Sequence, residues 1–270
     1  MYKYEIAKRI EEFAPLGTQE DWDCSGWIVN IEGYDDIRKV MLCLTVTDDV
    51  IKQAKLQNCD MIISHHPMFC INCHSELVSE SYTPKINVYC AHTNLDKAKG
   101  GTTDTLVNIT LNLIQGLYKD QKTQMPDYLT GIPTDVCLNK NFQILKRVQN
   151  DDFLRMVQIK DSISVQDFSK IIKKISPNSR LVNNKNIKEL KKIAFCAGSG
   201  SEFIEDAKEL GADCLVTGDL KFHRALDSKI VLYDIGHFES EVLVLPVFER
   251  IIGSGVEVIY AQEKSPFIQI

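Results

Sequence analysis

Two parts of this 270-residue chain repeat each other at a fixed distance. Lys39-Val40-Met41-Leu42-Cys43 lies against Lys192-Ile193-Ala194-Phe195-Cys196, an offset of 153, and at that offset Ile51 meets Ile204, Ala54 meets Ala207 and Asp60 meets Asp213. In each copy an apolar run precedes helix-spaced apolar residues and a second apolar run, which reads as strand, helix, strand. Further on the offset is 145: His92-Thr93-Asn94-Leu95-Asp96 lies on His237-Phe238-Glu239-Ser240-Glu241, each just after a run containing Tyr89 or Tyr233. Any two strand-helix-strand units share such patterns, so relatedness is an expectation. It predicts an α/β fold of two related α/β halves facing each other across a cleft. The division expected is 1–117 for the first half, 118–190 for an elaborated segment and 191–270 for the second half, within one structural unit.

Apolar spacing predicts helices over 3–14, 48–57, 102–116, 201–210 and 238–252, with Thr102 and Ser201 as caps. Ser164 and Asp167 make a capping-box-like start to another helix, whose inward face carries Val165, Phe168, Ile172 and Ile175. Strands are predicted over 39–46, 60–64, 86–91, 153–159, 192–197, 213–217 and 229–235. Residues 118–160 otherwise carry little pattern.

Five of the six histidines fall just past predicted strands, where open α/β sheets bind ligands. The first half offers Ser64-His65-His66-Pro67, His92 and Asp96; the second offers Asp219, His237 and Glu241. His237 and Glu241 are four apart, so a helix starting near His237 puts them on one face. If the halves face each other, His65, His66, Asp96, His237 and Glu241 supply five ligands for two divalent metal ions per chain, and Glu241 can bridge them. Imidazole with carboxylate suits Zn, Fe, Mn or Ni better than Mg or Ca. His92 and Asp219 are expected to support catalysis, moving protons, orienting a histidine or binding substrate.

Duller readings compete. Adjacent His65 and His66 point to opposite sides if the strand continues, so one can be a packed core histidine. Asp96 can cap a turn, Asp104 suits a helix dipole, Gly218-Asp219 suits a plain turn, and His223 reads as structural. Gly198-Ser199-Gly200-Ser201 could cradle a phosphate, although a tight turn with Ser201 as cap is the stronger reading. Cys70-Ile71-Asn72-Cys73-His74 fits a haem-attachment spacing, but the bland reading of loop cysteines prevails.

Net charge is −6, which argues against generic nucleic-acid binding but not against a small anionic substrate, a nucleotide included. Nine cysteines, an odd number and several in apolar runs, read as reduced thiols of a cytoplasmic protein. The first residues lack a signal-peptide core, and the apolar stretch 242–248 is too short to span a membrane, so no membrane partner is expected.

Several stretches resemble the Nif-three-like dinuclear metal-centre family, often labelled GTP cyclohydrolase 1 type 2: Glu20 to Gly26, Asp60 to Pro67, Ala91 to Asp96, Thr217-Gly218-Asp219 and Asp234 to Glu241. The resemblance implies a Nif-three-like fold with two metals held by His65, His66, Asp96, His237 and Glu241, Glu241 bridging. It also implies a ring-shaped homohexamer, without the inserted domain of longer relatives. One departure is the stretch from Lys146 to Phe153, where family members often carry a glycine-rich run. The function implied is a metal-dependent hydrolase that opens the imidazole ring of GTP by metal-activated water. A non-enzymatic metal-binding, metal-trafficking or scaffold hexamer, and a two-metal phosphoesterase, are the alternatives.

Overall fold

The computed structural model describes residues 1–67, 86–118, 142–148 and 151–267. The Cys70-Cys73-His74 run lies outside the described residues. The chain forms two compact units, one of Met1–Gly101 with Val244–Lys264 and one of Thr102–Leu243 with Ser265–Ile270.

In the first unit, helix α1 (Lys3–Phe13) precedes strand β1 (Gly26–Val29), strand β2 (Lys39–Thr45), helix α2 (Asp48–Leu56), strand β3 (Met61–His66), strand β4 (Asn87–Cys90) and helix α3 (Thr93–Lys97). Helix α9 (Leu245–Ile252) and strand β11 (Glu257–Tyr260) complete it. The sheet order is β1-β4-β3-β2-β11, parallel except for β1. Alternation along each strand sends Met41, Cys43, Ile62 and Val88 to one face, where Val50 and Ala54 of α2 cover them.

The second unit runs through helix α4 (Thr102–Tyr118), strands β5 (Phe142–Val148) and β6 (Asp151–Ser164), helix α5 (Val165–Ile175), and strands β7 (Arg180–Val182) and β8 (Glu189–Ser199). Helix α6 (Ile204–Glu209), strand β9 (Cys214–Gly218), helix α7 (Phe222–Leu226), strand β10 (Val231–Asp234) and helix α8 (His237–Glu241) follow. Its sheet order is β5-β6-β8-β9-β10-β7. Ile193, Phe195, Val216 and Tyr233 face a core with α4 and α5, while Ala194, Cys196, Leu215 and Leu232 face Ile204 and Ala207 of α6.

This grouping differs from the division expected from sequence. Helix α4 shares its core with α5, through Leu106, Ile114, Phe168 and Ile172, and α9 packs on α1. The segment expected as elaboration extends the second sheet, because β6 pairs antiparallel with β8.

The two units repeat each other in detail. Each has three parallel strands, β2-β3-β4 and β8-β9-β10, with an antiparallel edge strand, β1 or β7, on the third. Asp60 Oδ2 accepts from the Arg38 and Lys39 amides at 2.8 and 3.0 Å, and Asp213 Oδ2 accepts from the Lys191 and Lys192 amides at 2.7 and 2.8 Å. Tyr89 reaches Glu11 of α1, and Tyr233 reaches Val165 of α5. At the third strand the backbones are level at an offset of 144: Ala91 N donates to Ser64 O, as Ile235 N does to Thr217 O. Helices α3 and α8 keep that offset, so His237 is level with Thr93, and Gly236, at φ +85°, with His92. The motif offset of 145 is thus one residue out of step with the backbone.

Candidate metal-binding groups

In the first unit the parallel strands end at the histidines. Strand β3 continues through both His65 and His66, yet their ring centroids are only 5.0 Å apart. His65 is fully buried and its Nδ1 meets the Ala91 carbonyl at 3.0 Å. A carbonyl only accepts, so Nδ1 carries a proton, and in the neutral ring Nε2 is then an acceptor. That Nε2 faces Asp96 Oδ1, a second acceptor, at 3.4 Å. Two acceptors turned toward each other suit a cation between them. His66 Nδ1 is held by Thr45 Oγ1 at 2.7 Å.

His92 caps α3, and its Nδ1 bonds Asp23 Oδ1 at 2.9 Å. Asp23 also accepts from Ser25 and from the amide and hydroxyl of Thr93. Burial acts to raise its pKa, but the bonds from His92 and Thr93 outweigh that and hold the carboxyl far below the usual carboxylate range. Ring nitrogens of His65, His66 and His92 all lie within 4.8 Å of one another, a group able to hold a metal ion.

In the second unit, His237 opens α8 and Glu241 closes it. His237 Nε2 is 2.9 Å from Glu241 Oε2, and Nδ1 is 2.7 Å from Asp219 Oδ2. Burial opposes the charge on His237, but the two carboxylates outweigh it and push the imidazole up to about 9. Asp219 is at φ +51°, in the left-handed region. Strand-end backbones crowd here: a Cβ on Gly218 would lie 2.8 Å from His237 N and 2.9 Å from Gly198 O.

The structure thus brings His65, His66, His92 and Asp96 together in one unit, and Asp219, His237 and Glu241 in the other. Every one of the four strand-end imidazoles has Nδ1 anchored by an oxygen, the arrangement that orients metal-binding histidines. Sequence reasoning gave no role to Asp23 or Thr45; the one signal for Asp23 was its place in the Glu20 to Gly26 stretch. Ser201 does not cap a helix through its side chain. It donates to Asp219 O at 3.0 Å and accepts from Lys221 N at 2.9 Å, clamping the turn that carries Asp219. Thr102 is the first residue of α4 rather than its cap. His223 lies in α7, in ring contact with Phe222. Among the described residues no helix is long and apolar enough to cross a membrane.

A family model described as Duf34/NIF3 (NGG1p interacting factor 3) matches residues 1–266. A Clostridium perfringens protein named GTP cyclohydrolase 1 type 2 homolog is 35% identical, covering 97% of each chain. A Clostridium acetobutylicum protein of the same name is 30% identical over 88% of this chain and 84% of its own. Among solved structures, reduced HcgD from Methanocaldococcus jannaschii aligns with a TM-score of 0.74 at 26% identity, over 97% of this chain and 98% of that one. A Bacillus cereus protein related to NIF3 aligns with a TM-score of 0.75 at 19% identity, over 100% and 99% of the two chains, a likeness of fold.

Proposed function

The chain belongs to the Duf34/NIF3 family, and from that premise we propose that it is a dinuclear metal-dependent hydrolase acting on the imidazole ring of GTP. In this reading His65, His66, Asp96, His237 and Glu241 hold two divalent ions, with Glu241 bridging. Zn, Fe, Mn and Ni all suit that donor set. Two such ions would supply an activated water at neutral pH and stabilise developing negative charge.

One observation carries the metal half of the proposal: the strand-end imidazoles are each anchored at Nδ1 by a carbonyl, hydroxyl or carboxylate oxygen. Ligand histidines need that fixed tautomer and ring orientation. Asp219 acts in this reading as a positioning residue, through His237. The GTP half rests on the names of the Clostridium relatives. A ring-shaped homohexamer in the cytoplasm completes the proposal, and light scattering on the purified chain tests the assembly.

The activity test incubates metal-loaded protein with GTP, with phosphodiesters and with buffer, beside a His66→Ala, Glu241→Gln double variant. The expected result is formate release from GTP by the wild type alone. Cleavage of phosphodiesters alone would favour a phosphoesterase. Equal product from wild type and variant would leave a metal-binding protein without hydrolase activity. Elemental analysis well under one metal per chain after loading would remove the site itself.

A further inference from the structure

We propose that Glu263 is a positioning residue for His66: it fixes the strand end that carries Thr45, and Thr45 in turn orients the imidazole. This deepens the metal reading above and rests on it for His66 as a ligand.

The chain beyond β11 is fastened to β2 and α2 residue by residue. Ala261 N donates to Leu42 O at 2.9 Å. Gln262 exchanges two hydrogen bonds with the side chain of Gln53, at 2.8 and 3.1 Å. Strand β11 stops level with Leu42. Past that point Glu263 takes over: its Oε2 accepts from the Leu44 amide at 2.6 Å and its Oε1 from the Thr45 amide at 3.0 Å. Bonds to a carboxylate are stronger than bonds between neutral groups. Burial pushes the Glu263 carboxyl up from its ordinary value, and the two amides offset this only in part. At the offset of 153 the second unit uses neutral groups instead. There the Ala197 and Gly198 amides donate to the hydroxyls of Thr103 and Ser240, at 3.2 and 2.9 Å. In the first unit one charged group binds both consecutive amides.

Thr45 is where that fixation reaches the metal-binding groups. It is level with His66 on the neighbouring strand, and its Oγ1 is 2.7 Å from His66 Nδ1. A β-branched side chain has few choices at χ1, so the hydroxyl goes where the Thr45 backbone goes. An imidazole held at Nδ1 presents its other nitrogen in one direction, as a ligand must. Carboxylate, amide, hydroxyl and imidazole thus form one series of contacts, all inside the first unit.

The test titrates the full chain with Co²⁺, following metal content and the visible ligand-field bands, in wild type, Glu263→Gln, Thr45→Val and the two combined. Each single variant should weaken a bound ion by about tenfold or more, with circular dichroism reporting a folded chain. The combined variant should bind no more weakly than Thr45→Val, because groups acting in series are not additive. Asp60→Ala is the control. It takes a carboxylate from two amides at the start of β2, those of Arg38 and Lys39, and should leave metal affinity at the wild-type level. Thr45→Ser keeps the hydroxyl on a side chain that turns more freely and should lose part of the affinity. Wild type without metal would overturn the metal-centre reading and this inference with it. Metal in the wild type with unchanged affinity in Glu263→Gln, additive losses, or an equal loss in Asp60→Ala would overturn this inference alone. If Glu263→Gln does not fold, Thr45→Ser decides, and wild-type affinity there overturns the inference.

Discussion

Gly198 and Glu241 meet in a space that holds a hydrogen and nothing larger: a Cβ on Gly198 would lie 2.2 Å from Glu241 Oε1 and 3.6 Å from His237 Cε1. Gly198 also stands at φ +68°. A Gly198→Ala variant should therefore lose stability by about 1–2 kcal/mol from the left-handed backbone alone. It should also lose metal affinity by at least about tenfold as Glu241 is displaced. Gly211→Ala is the control, since Gly211 has φ +80° but its Cβ would meet only Lys192 Nζ, at 3.5 Å. Thermal denaturation and metal titration of both variants check this; equal metal affinity in the two would refute it.

Metal binding should release a proton from His237. In the metal-free chain two carboxylates push that imidazole up to about 9, from an ordinary value of 6.5, and a ligand imidazole must be neutral. Apparent affinity should rise with pH up to about 9 and lose this dependence above it. For folding of the metal-free chain, the raised value stabilises fully below 6.5, and that contribution fades as pH rises through about 9. Calorimetric metal titrations in two buffers of different ionisation enthalpy, at pH 7.5, measure the proton. Asp219→Asn should reduce its yield.

Asp60→Ala and Asp213→Ala should destabilise by similar amounts, about 1–3 kcal/mol each, because each leaves two backbone amides without their carboxylate. The amides are those of Arg38 and Lys39 in one unit and Lys191 and Lys192 in the other. Urea denaturation measures the losses. Metal content of the folded protein should stay at the wild-type level.

Ser164→Ala should cost about 1 kcal/mol. Ser164 Oγ accepts from the Asp167 amide at 3.0 Å and donates to Asp167 Oδ2 at 2.8 Å. The helix it starts seats Phe168, Ile171 and Ile172 in the core. Ser164→Thr, which keeps both the acceptor and the donor at the cap, should recover most of the loss by the same denaturation measurement.

The parallel strands β2, β3, β4, β8, β9 and β10 were legible because they are continuous apolar runs, and α1, α2 and α5 because their apolar residues recur at helical spacing; β11, parallel to β2 but without a buried residue, was not. Edge strands were not. Strand β7 is only Arg180–Val182, with two of its three residues exposed, and β1 carries one buried residue among four, so neither shows a pattern. Helices α3 and α7 are five residues each, too short for a period. Of the metal-binding groups, the imidazoles and carboxylates announced themselves by type and by place at strand ends. Their supports did not. Thr45 and Asp23 reach His66 and His92 across 21 and 69 residues of sequence, and glycine clearance at Gly198 exists only once the strands are assembled.

The aspartate clamps sit where β3 and β9 begin, and the imidazoles and carboxylates sit where parallel strands end. At the starts the two units are interchangeable. At the ends they have diverged: His65-His66 in one unit occupies the place of Gly218-Asp219 in the other. One end of each sheet thus carries the same backbone clamp in both units, and the other carries side chains that differ between them. A unit built this way can carry different donors at one end while the clamp at the other end keeps the same backbone start.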